Sequence, residues 1–231
     1  MEKQHIVILT GAGISAESGI STFRGTDGLW ENHKIEDVAS IWGWNHNPEL
    51  VLEFYNLRRK AAAMVNANAA HYALARLEEK FKVTVITQNV DDLHERGGST
   101  HIIHLHGKLS EAKSSGNSDY VVDIGDKPIK MGDLCPMGTQ LRPNIVWFGE
   151  MVPNIEIAQL ITSDADLFII IGTSMQVYPA ASLIHFAPNH IPIYIIDPNI
   201  PYSVNISGLN KIEQPATVGV PALVDELMGK L

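Results

Sequence analysis

A glycine-rich stretch near the start of the chain, TGAGISAESG, follows an apolar run and has residue types that could hold phosphate groups. A turn that opens with Gly11, Ala12 and Gly13 lets backbone N–H groups approach a pyrophosphate at a helix N-terminus, as in dinucleotide-binding folds. The usual spacing, G-x-G-x-x-G, is broken because Ala16 stands where the third glycine belongs. The stretch is therefore compatible with a dinucleotide site and equally with a tight strand-to-helix turn.

The loop that follows, STFRGTDGLW at residues 21–30, contains two side chains that are out of place in a polar loop. Phe23 is a large aromatic residue and Arg24 carries a guanidinium, and neither has an evident packing role among glycines and small polar residues. We expect this segment to be a flap that covers a ligand.

Three polar residues stand at the end of an apolar, β-branched run. TQNVDDLH places Gln88, Asn89 and Asp91 directly after residues 82–87. Open parallel sheets bind ligands at the carboxyl ends of their strands, so these side chains could hydrogen-bond a ribose or a carboxamide there. Capping of the strand end is the alternative interpretation.

Further strand ends carry similar chemistry. HLHG ends the next run with two histidines, and strand alternation turns His104 and His106 the same way, so the pattern does not choose between them. GTS at 172–174 and DPN at 197–199 end two later runs. Each is ordinary alone, but several polar, glycine-containing strand ends on one sheet edge predict a ligand site.

The elements that position these residues alternate between strands and helices, which is typical of an α/β fold with a parallel sheet covered on both faces. The predicted strands are residues 5–9, 82–87, 101–106, 167–172 and 191–197. Asn47 and Pro48 predict the start of a helix, a second helix is expected at about 68–80 and a terminal one near 220–230. We expect one domain over residues 1–231, with a core of about 1–31, 80–107 and 141–231, a helical insertion at about 32–79, and an insertion of loops and a hairpin at about 108–140.

The composition of the chain excludes several classes of protein and of binding site. Apolar residues make up 45% of the 231 residues and charged residues 19%, as in ordinary globular proteins. The net charge of −9 argues against nucleic-acid binding, which needs a basic face. The single cysteine, Cys135, excludes an internal disulfide and a multi-cysteine metal site. Because no signal peptide or membrane-spanning run is evident, we expect no membrane partner and a cytoplasmic location.

The motifs taken together resemble those of the sirtuins, the NAD-dependent protein-lysine deacylases. The resemblance covers nearly the whole chain, through GAGISAESGISTFRG, TQNVDDLH, HLHG, RPNIVWFGE, GTSMQVYPA and PATVGVPALVDEL. It implies a Rossmann-like domain that consumes NAD as a co-substrate and takes acyl-lysine proteins or peptides as partners. The order and joint presence of these motifs are far more specific than any glycine spacing.

The resemblance also implies site residues. His106 would be the general base, with Asn89 as the second catalytic residue. The residues expected to bind NAD are Gly11, Ala12, Gly13, Ser15, Ala16, Phe23, Arg24, Trp30, Gln88, Asn89, Val90, Asp91, Gly172, Thr173, Ser174, Asp197, Pro198, Asn199 and Ala216. An acyl-lysine peptide would lie as an added strand between two segments, contacting Val146, Phe148, Gly149 and Val177.

The implied reaction breaks the nicotinamide bond of NAD, transfers the acyl group to ADP-ribose and frees the lysine. A neutral imidazole with an ordinary pKa of about 6.5 suits the proton transfer expected of His106. Three other functions remain open: a mono-ADP-ribosyltransferase, a Rossmann-type NAD dehydrogenase and a non-catalytic NAD-binding scaffold. The irregular glycine spacing argues against the dehydrogenase, and the complete set of expected catalytic residues argues against the scaffold.

The type of acyl group is indicated by FYNLRRK on the predicted insertion helix. Tyr55 and Arg58 stand three residues apart and share a helix face. They resemble the Tyr-x-x-Arg motif of sirtuins that remove negatively charged acyl groups, in which an arginine fork and a phenol bind a carboxylate. We therefore expect succinyl and malonyl groups to be removed as well as acetyl. The alternative is a solvated basic patch beside a tyrosine that fills the core.

One segment departs from the sirtuin pattern. Most sirtuins bind a structural zinc with two cysteine pairs in the region of residues 108–140, where this chain has Ser114, Ser115 and only Cys135. One thiolate cannot build that site, and serine is a poor zinc ligand. We expect no zinc, and instead a module held by apolar contacts of Tyr120, Val121, Val122, Ile124, Ile129 and Leu134.

Overall fold

The computed structural model of the protein describes residues 3–22, 29–30, 32–116, 119–200 and 208–229. Within these residues the strands are β1 His5–Thr10, β2 Leu29–Trp30, β3 His33–Lys34, β4 Lys82–Thr87, β5 Ile102–His104, β6 Gly107–Ser114, β7 Val121–Asp123, β8 Leu141–Ile145, β9 Leu167–Ile171, β10 Ile193–Ile196 and β11 Leu209–Ile212. The α-helices are α1 Ile35–Val38, α2 Ile41–His46, α3 Pro48–Met64, α4 Ala69–Arg76, α5 Leu93–Arg96, α6 Ile155–Ser163 and α7 Ala216–Gly229.

Six strands form a parallel sheet in the order β11-β10-β9-β1-β4-β5. Every residue of the inner strand β1 is buried. Its side chains alternate: Ile6 and Ile8 pack with α4 and α7, whereas Val7 and Leu9 pack on the other face with α6 and a 3-10 helix, Ala180–Phe186. Helices therefore cover both faces, which confirms the predicted α/β fold.

One strand prediction needs correction, and one strand was missed. The predicted strand 101–106 is only Ile102–His104, because the chain turns after it and Gly107, with φ of +81°, begins a strand of a different sheet. The edge strand β11 was not predicted, because half of its short sequence, LNKI, is polar and exposed. The other four predicted strands form where expected.

The helix predictions hold with shifted ends. Asn47 caps α3, its side chain accepting the Leu50 N–H at 3.1 Å, and Pro48 is the first helical residue, as predicted. Asn68 caps α4, which a 3-10 turn extends to Glu79. The terminal helix α7 begins at Ala216 rather than near residue 220.

Helix α4 belongs with the main sheet rather than with the insertion. Ala70, Ala73 and Leu74 lie in the same buried cluster as Ile6 of β1. We therefore propose that the helical insertion ends with α3 and that the core resumes at about residue 65.

The segment after β5 is more regular than predicted. It forms a three-stranded antiparallel sheet in the order β7-β6-β8, here called the small module together with the loops up to β8. Ala112 and Ile129 are buried against Leu52 of α3, with Val122 and Ile124 around them. Val121 and Leu134 do not contribute to this core, because they are 45% and 58% exposed.

Candidate active site at the carboxyl edge of the sheet

The glycine turn after β1 interlocks with the end of β9. The N–H groups of Gly11 and Gly13 donate to the carbonyls of Ile171 (3.0 Å) and Gly172 (2.8 Å). A Cβ on Gly13 would lie 2.6 Å from the Gly172 Cα, and one on Gly172, whose φ is +61°, would lie 2.4 Å from the Ile14 nitrogen. Both amides are used in this packing, and the binding of NAD by Gly11 and Gly13 stays a prediction.

No α-helix directly follows that turn; the next one among the described residues is α1, which begins at Ile35. Two 3-10 helices, Ala12–Ile14 and Ala16–Ser18, are joined by the buried Ser15. The irregular glycine spacing is therefore accompanied by two short 3-10 helices in place of the α-helix that usually follows such a turn. Phe23 and Arg24, predicted to form a flap, lie outside the described residues.

Side chains from three strand ends meet at this edge. The Gln88 amide donates to the Thr173 hydroxyl at 3.1 Å, which links the ends of β4 and β9. The Asn89 amide donates to the Ser15 hydroxyl at 3.2 Å, which links β4 to the glycine turn. The structure thus brings together four residues that the sequence placed in one site.

Asp91 and Val90 complete the turn after β4. The Asp91 carboxylate is 7% exposed and accepts the Leu93 N–H at 3.1 Å, and burial raises its pKa. Val90 packs against the apolar cluster that contains Tyr55. This turn therefore joins the polar edge of the sheet to the helical insertion.

A buried chain of hydroxyls behind Asn89 was not predicted from the sequence. His94, whose pKa burial lowers to about 3, lies 2.9 Å from the Thr10 hydroxyl, which donates to the Thr87 hydroxyl at 2.8 Å. The Thr87 hydroxyl accepts the Asn89 N–H at 3.0 Å. This series of hydrogen bonds fixes the backbone at Asn89. Its only signal in the sequence is the polar residues Thr10 and Thr87 at the ends of apolar strands.

The structure distinguishes His104 from His106 by their hydrogen bonds. His104 uses both ring nitrogens, one 3.1 Å from the Asn89 carbonyl and the other 2.9 Å from the Glu95 carboxylate. His106 donates Nδ1–H to the Gln88 carbonyl at 3.1 Å, and the described residues give its Nε2 no hydrogen-bond partner. Burial lowers the pKa of His106, so the imidazole is neutral at pH 7 with its lone pair on Nε2.

The residues expected to bind the adenosine half of NAD lie at the ends of β9 and β10 and at the start of α7. Asp197 is 1% exposed, and its Oδ1 accepts the Asn199 N–H at 2.8 Å. Ser174 is half-buried, and Pro198 is exposed beside Asn199. Ala216 is buried at the first turn of α7, where the Thr217 N–H donates to the Glu17 carboxylate at 3.0 Å and so ties α7 to the glycine turn. These residues lie at one end of the sheet, as the sequence predicted.

Tyr55 and Arg58 share the buried face of α3. Tyr55 is fully buried and its hydroxyl accepts the Trp147 indole N–H at 3.1 Å. The Arg58 guanidinium is 8% exposed and lies 4.0 Å above the ring of Trp30, which also contacts Phe54 edge to face at 5.1 Å. A solvated basic patch is therefore excluded for Arg58, whereas the burial of Tyr55 in an apolar cluster also agrees with a tyrosine that fills the core. Trp30 packs on Arg58 and Phe54.

The segment after β8 runs between His106 and the insertion. The Val146 N–H donates to the His106 carbonyl at 3.0 Å, and the Phe148 N–H donates to the Ala39 carbonyl at 3.0 Å. Phe148 is half-exposed and Gly149 has φ of +89°. Val177 lies in the irregular segment after β9.

Two residues that hold this segment were not predicted. Arg142 makes two hydrogen bonds of 2.9 Å to the Glu150 carboxylate, and its guanidinium lies 3.4 Å from the centre of the Trp147 ring. The Glu150 carboxylate also accepts the Trp147 N–H at 2.8 Å. The basic and acidic ends of RPNIVWFGE therefore close a loop that keeps Val146 and Phe148 in place.

The position expected for zinc ligands in sirtuins is filled by small polar side chains. The Thr139 hydroxyl lies 2.6 Å from the Ser114 hydroxyl and 3.0 Å from the Cys135 thiol. Ser114 and Cys135 are both buried. In the part of the chain that the structure describes, no three His, Cys, Asp or Glu residues come together as a metal site, and this donor set does not fit zinc.

The fold and the site together define a Rossmann-like nucleotide-binding domain with a neutral histidine at its ligand edge. A family model described as the Sir2 family matches residues 11–179. A Bacteroides thetaiotaomicron protein named NAD-dependent protein deacylase is 49% identical over 225 residues, 95% of this chain and 96% of that protein. A Helicobacter pylori protein of the same name is 55% identical over 195 residues, 84% of this chain and 85% of that protein. The chain belongs to the Sir2 family, the sirtuins.

Solved structures agree with this assignment. The structure of a Sir2 homologue with NAD has a TM-score of 0.88 at 37% identity and covers 99% of this chain and 91% of that chain. A structure of Sir2 bound to an acetylated peptide has a TM-score of 0.76 at 29% identity, covering 99% of this chain and 94% of that chain.

Among the described residues, no helix is both long and apolar enough to cross a membrane.

Proposed function

We propose that the protein, which its family and its curated relatives show to be an NAD-dependent protein deacylase, removes acetyl and negatively charged acyl groups such as succinyl and malonyl from lysine. The observation that carries this function is the state of His106. Its Nδ1–H is held by the Gln88 carbonyl, so the base lone pair is on Nε2, at the edge where Asn89 and Ser15 also lie. A neutral base fixed in one tautomer suits removal of a proton from a ribose hydroxyl.

The residues at this edge fit a dinucleotide. The glycines at 11, 13 and 172 allow the turn after β1 to pack directly on the end of β9, and the polar side chains around this contact would face the ligand. Bound NAD supplies a ribose carbon that becomes electrophilic as nicotinamide leaves. Gln88, Asn89 and Asp91 would hold the nicotinamide end, and Asp197 and Asn199 the adenosine end.

The segment from Val146 to Gly149 would present backbone to the acyl-lysine peptide. It pairs with the backbone of residues 39–40 through Phe148, and the ion pair of Arg142 and Glu150 fixes its turn. The second wall would be the segment that contains Val177. Such an added strand reads mainly the peptide backbone, which suits substrates of varied sequence.

The acidic-acyl preference rests on the protonation and geometry of Tyr55 and Arg58. Burial raises the pKa of Tyr55, so the phenol keeps its proton. Because its oxygen accepts from Trp147, that proton is available for donation to a carboxylate. The stack on Trp30 fixes the plane of the Arg58 guanidinium, and a fixed fork pairs well with a carboxylate.

Arg58→Met tests this preference, because methionine keeps the apolar stem and removes the fork. We expect kcat/KM on a succinyl peptide to fall at least about tenfold relative to an acetyl peptide, as lost hydrogen bonds to a charged group predict. Lys60→Met is the matched control, since Lys60 is exposed on the same helix. An unchanged ratio of succinyl to acetyl kcat/KM in Arg58→Met would show that Arg58 does not select the acyl group.

We also propose that the small module holds no zinc. The support is its chemistry: Cys135 is the chain's single cysteine, and Thr139 already joins its thiol to Ser114. Apolar packing of Ala112 and Ile129 on Leu52 provides the core that a metal would otherwise supply.

A further inference from the structure

The small module is attached to α3 by an unusual side-chain contact. The Asn56 amide donates to the Ile129 carbonyl at 2.8 Å, and the Asn56 carbonyl oxygen accepts the Ile129 N–H at 2.9 Å. Asn56 thus pairs with a module residue as a neighbouring strand would. This pairing fixes the position of Ile129, which is 2% exposed in the core of the module.

Arg59 extends that contact toward the active site. Its guanidinium donates to the Asn56 side-chain oxygen at 2.7 Å and, through Nε, to the Leu109 carbonyl. The Leu109 N–H donates to the Val90 carbonyl at 2.7 Å. Hydrogen bonds therefore connect Ile129 in a loop of the module, through Asn56 and Arg59 of α3, to Leu109 of β6, which itself bonds the turn that carries Asn89 and Asp91.

The burial of Arg59 is costly. It is 2% exposed, its Nη2 has no hydrogen-bond partner, and no carboxylate among the described residues forms an ion pair with it. Burial lowers the pKa of its guanidinium to about 10. A buried cation without an anionic partner carries a desolvation cost, which only its hydrogen bonds offset. Its contacts therefore point to a role in fixing geometry.

We propose that Arg59 and Asn56 are positioning residues that lock the small module and the Asn89–Asp91 turn to α3. The Asn56 contact fixes the position of the module, which has only one cysteine and so cannot be held by a thiolate zinc site. The contact of Arg59 with Leu109 fixes β6, whose Leu109 N–H bonds the turn. The expected effect on activity rests on the proposed deacylase function, whereas the structural link does not depend on it.

Hydrogen exchange of the full chain tests the link directly. In Arg59→Met we expect faster amide exchange at residues 88–92 and 119–135, with the rest of the chain unchanged. Asn56→Ala removes both hydrogen bonds to Ile129 but leaves the Arg59–Leu109 bond, so it should affect mainly 119–135. Lys60→Met is the matched control and should leave both segments as in the wild type, because Lys60 is exposed.

Kinetics provide the second readout. Arg59→Met removes the hydrogen bonds to Asn56 and Leu109 that hold β6 beside the turn, so kcat should fall about five- to tenfold on acetyl and succinyl peptides alike, with little change in peptide KM. Arg59→Lys should recover part of kcat, because an ammonium can reach one of the two acceptors but not both.

Exchange that rises uniformly in Arg59→Met would overturn the proposal, since it would mean a general loss of stability. Unchanged exchange at residues 88–92 would overturn it as well. A wild-type protein without deacylase activity would refute the proposed function only, because the exchange experiment would still decide whether Arg59 and Asn56 link the module to the turn.

Discussion

Replacing Tyr55 by phenylalanine separates the two roles that the structure gives its hydroxyl. The Trp147 indole N–H and the Tyr55 hydroxyl are 3.1 Å apart, and both side chains are almost fully buried. Tyr55→Phe leaves that buried donor without an acceptor, which costs about 1–3 kcal/mol. In a domain of this size we expect a fall in Tm of about 2–12 °C.

The same substitution removes the proposed donor to an acidic acyl group. A hydrogen bond to a charged group contributes about 1.5–3 kcal/mol, so succinyl kcat/KM should fall about 10- to 150-fold relative to acetyl. Differential scanning fluorimetry and peptide kinetics measure the two effects on one preparation. Tyr72→Phe is the matched control, because Tyr72 is 53% exposed. A lower Tm with equal losses on both peptides would refute the substrate role and leave Tyr55 as a structural residue.

Three further outcomes follow from the site. Thr87→Val removes the hydroxyl that accepts the Asn89 N–H and should lower kcat about tenfold, whereas Thr87→Ser should retain activity; equal kcat in both variants would contradict the positioning role. Because burial lowers the pKa of His106 below 6.5, the neutral base persists at mildly acidic pH, and kcat/KM should decline with a midpoint below 6.5; a midpoint above it would argue against His106 as the base. Treatment with a chelator should leave Tm and activity unchanged, and stoichiometric zinc found by elemental analysis of the treated protein would disprove the zinc-free module.

The parallel sheet could be predicted because its inner strands are short, almost wholly apolar runs that end in polar residues. Helix α3 was equally clear, since Asn47 and Pro48 mark its start. The start of α7 was missed because Gly219 and Pro221 disfavour helix within it. The edge strand β11 carries two exposed residues in its four and lacks a strand signal.

The site residues could be assigned to one sheet edge from the sequence, but their contacts could not. Alternation could not distinguish His104 from His106, because β5 ends at residue 104 and the chain then turns. The burial of Arg59 and its link to Leu109 depend on β6 packing across α3, a contact between residues 50 positions apart. No local pattern separates Arg59 from the exposed Lys60.

The central claim is tested most directly by mass spectrometry of the wild-type protein incubated with NAD and an acyl-lysine peptide. The structure predicts nicotinamide, O-acyl-ADP-ribose and unmodified lysine peptide in equal amounts. A peptide that keeps its acyl group and gains ADP-ribose would identify a transferase instead, and NAD left intact beside unchanged peptide would contradict an enzymatic role.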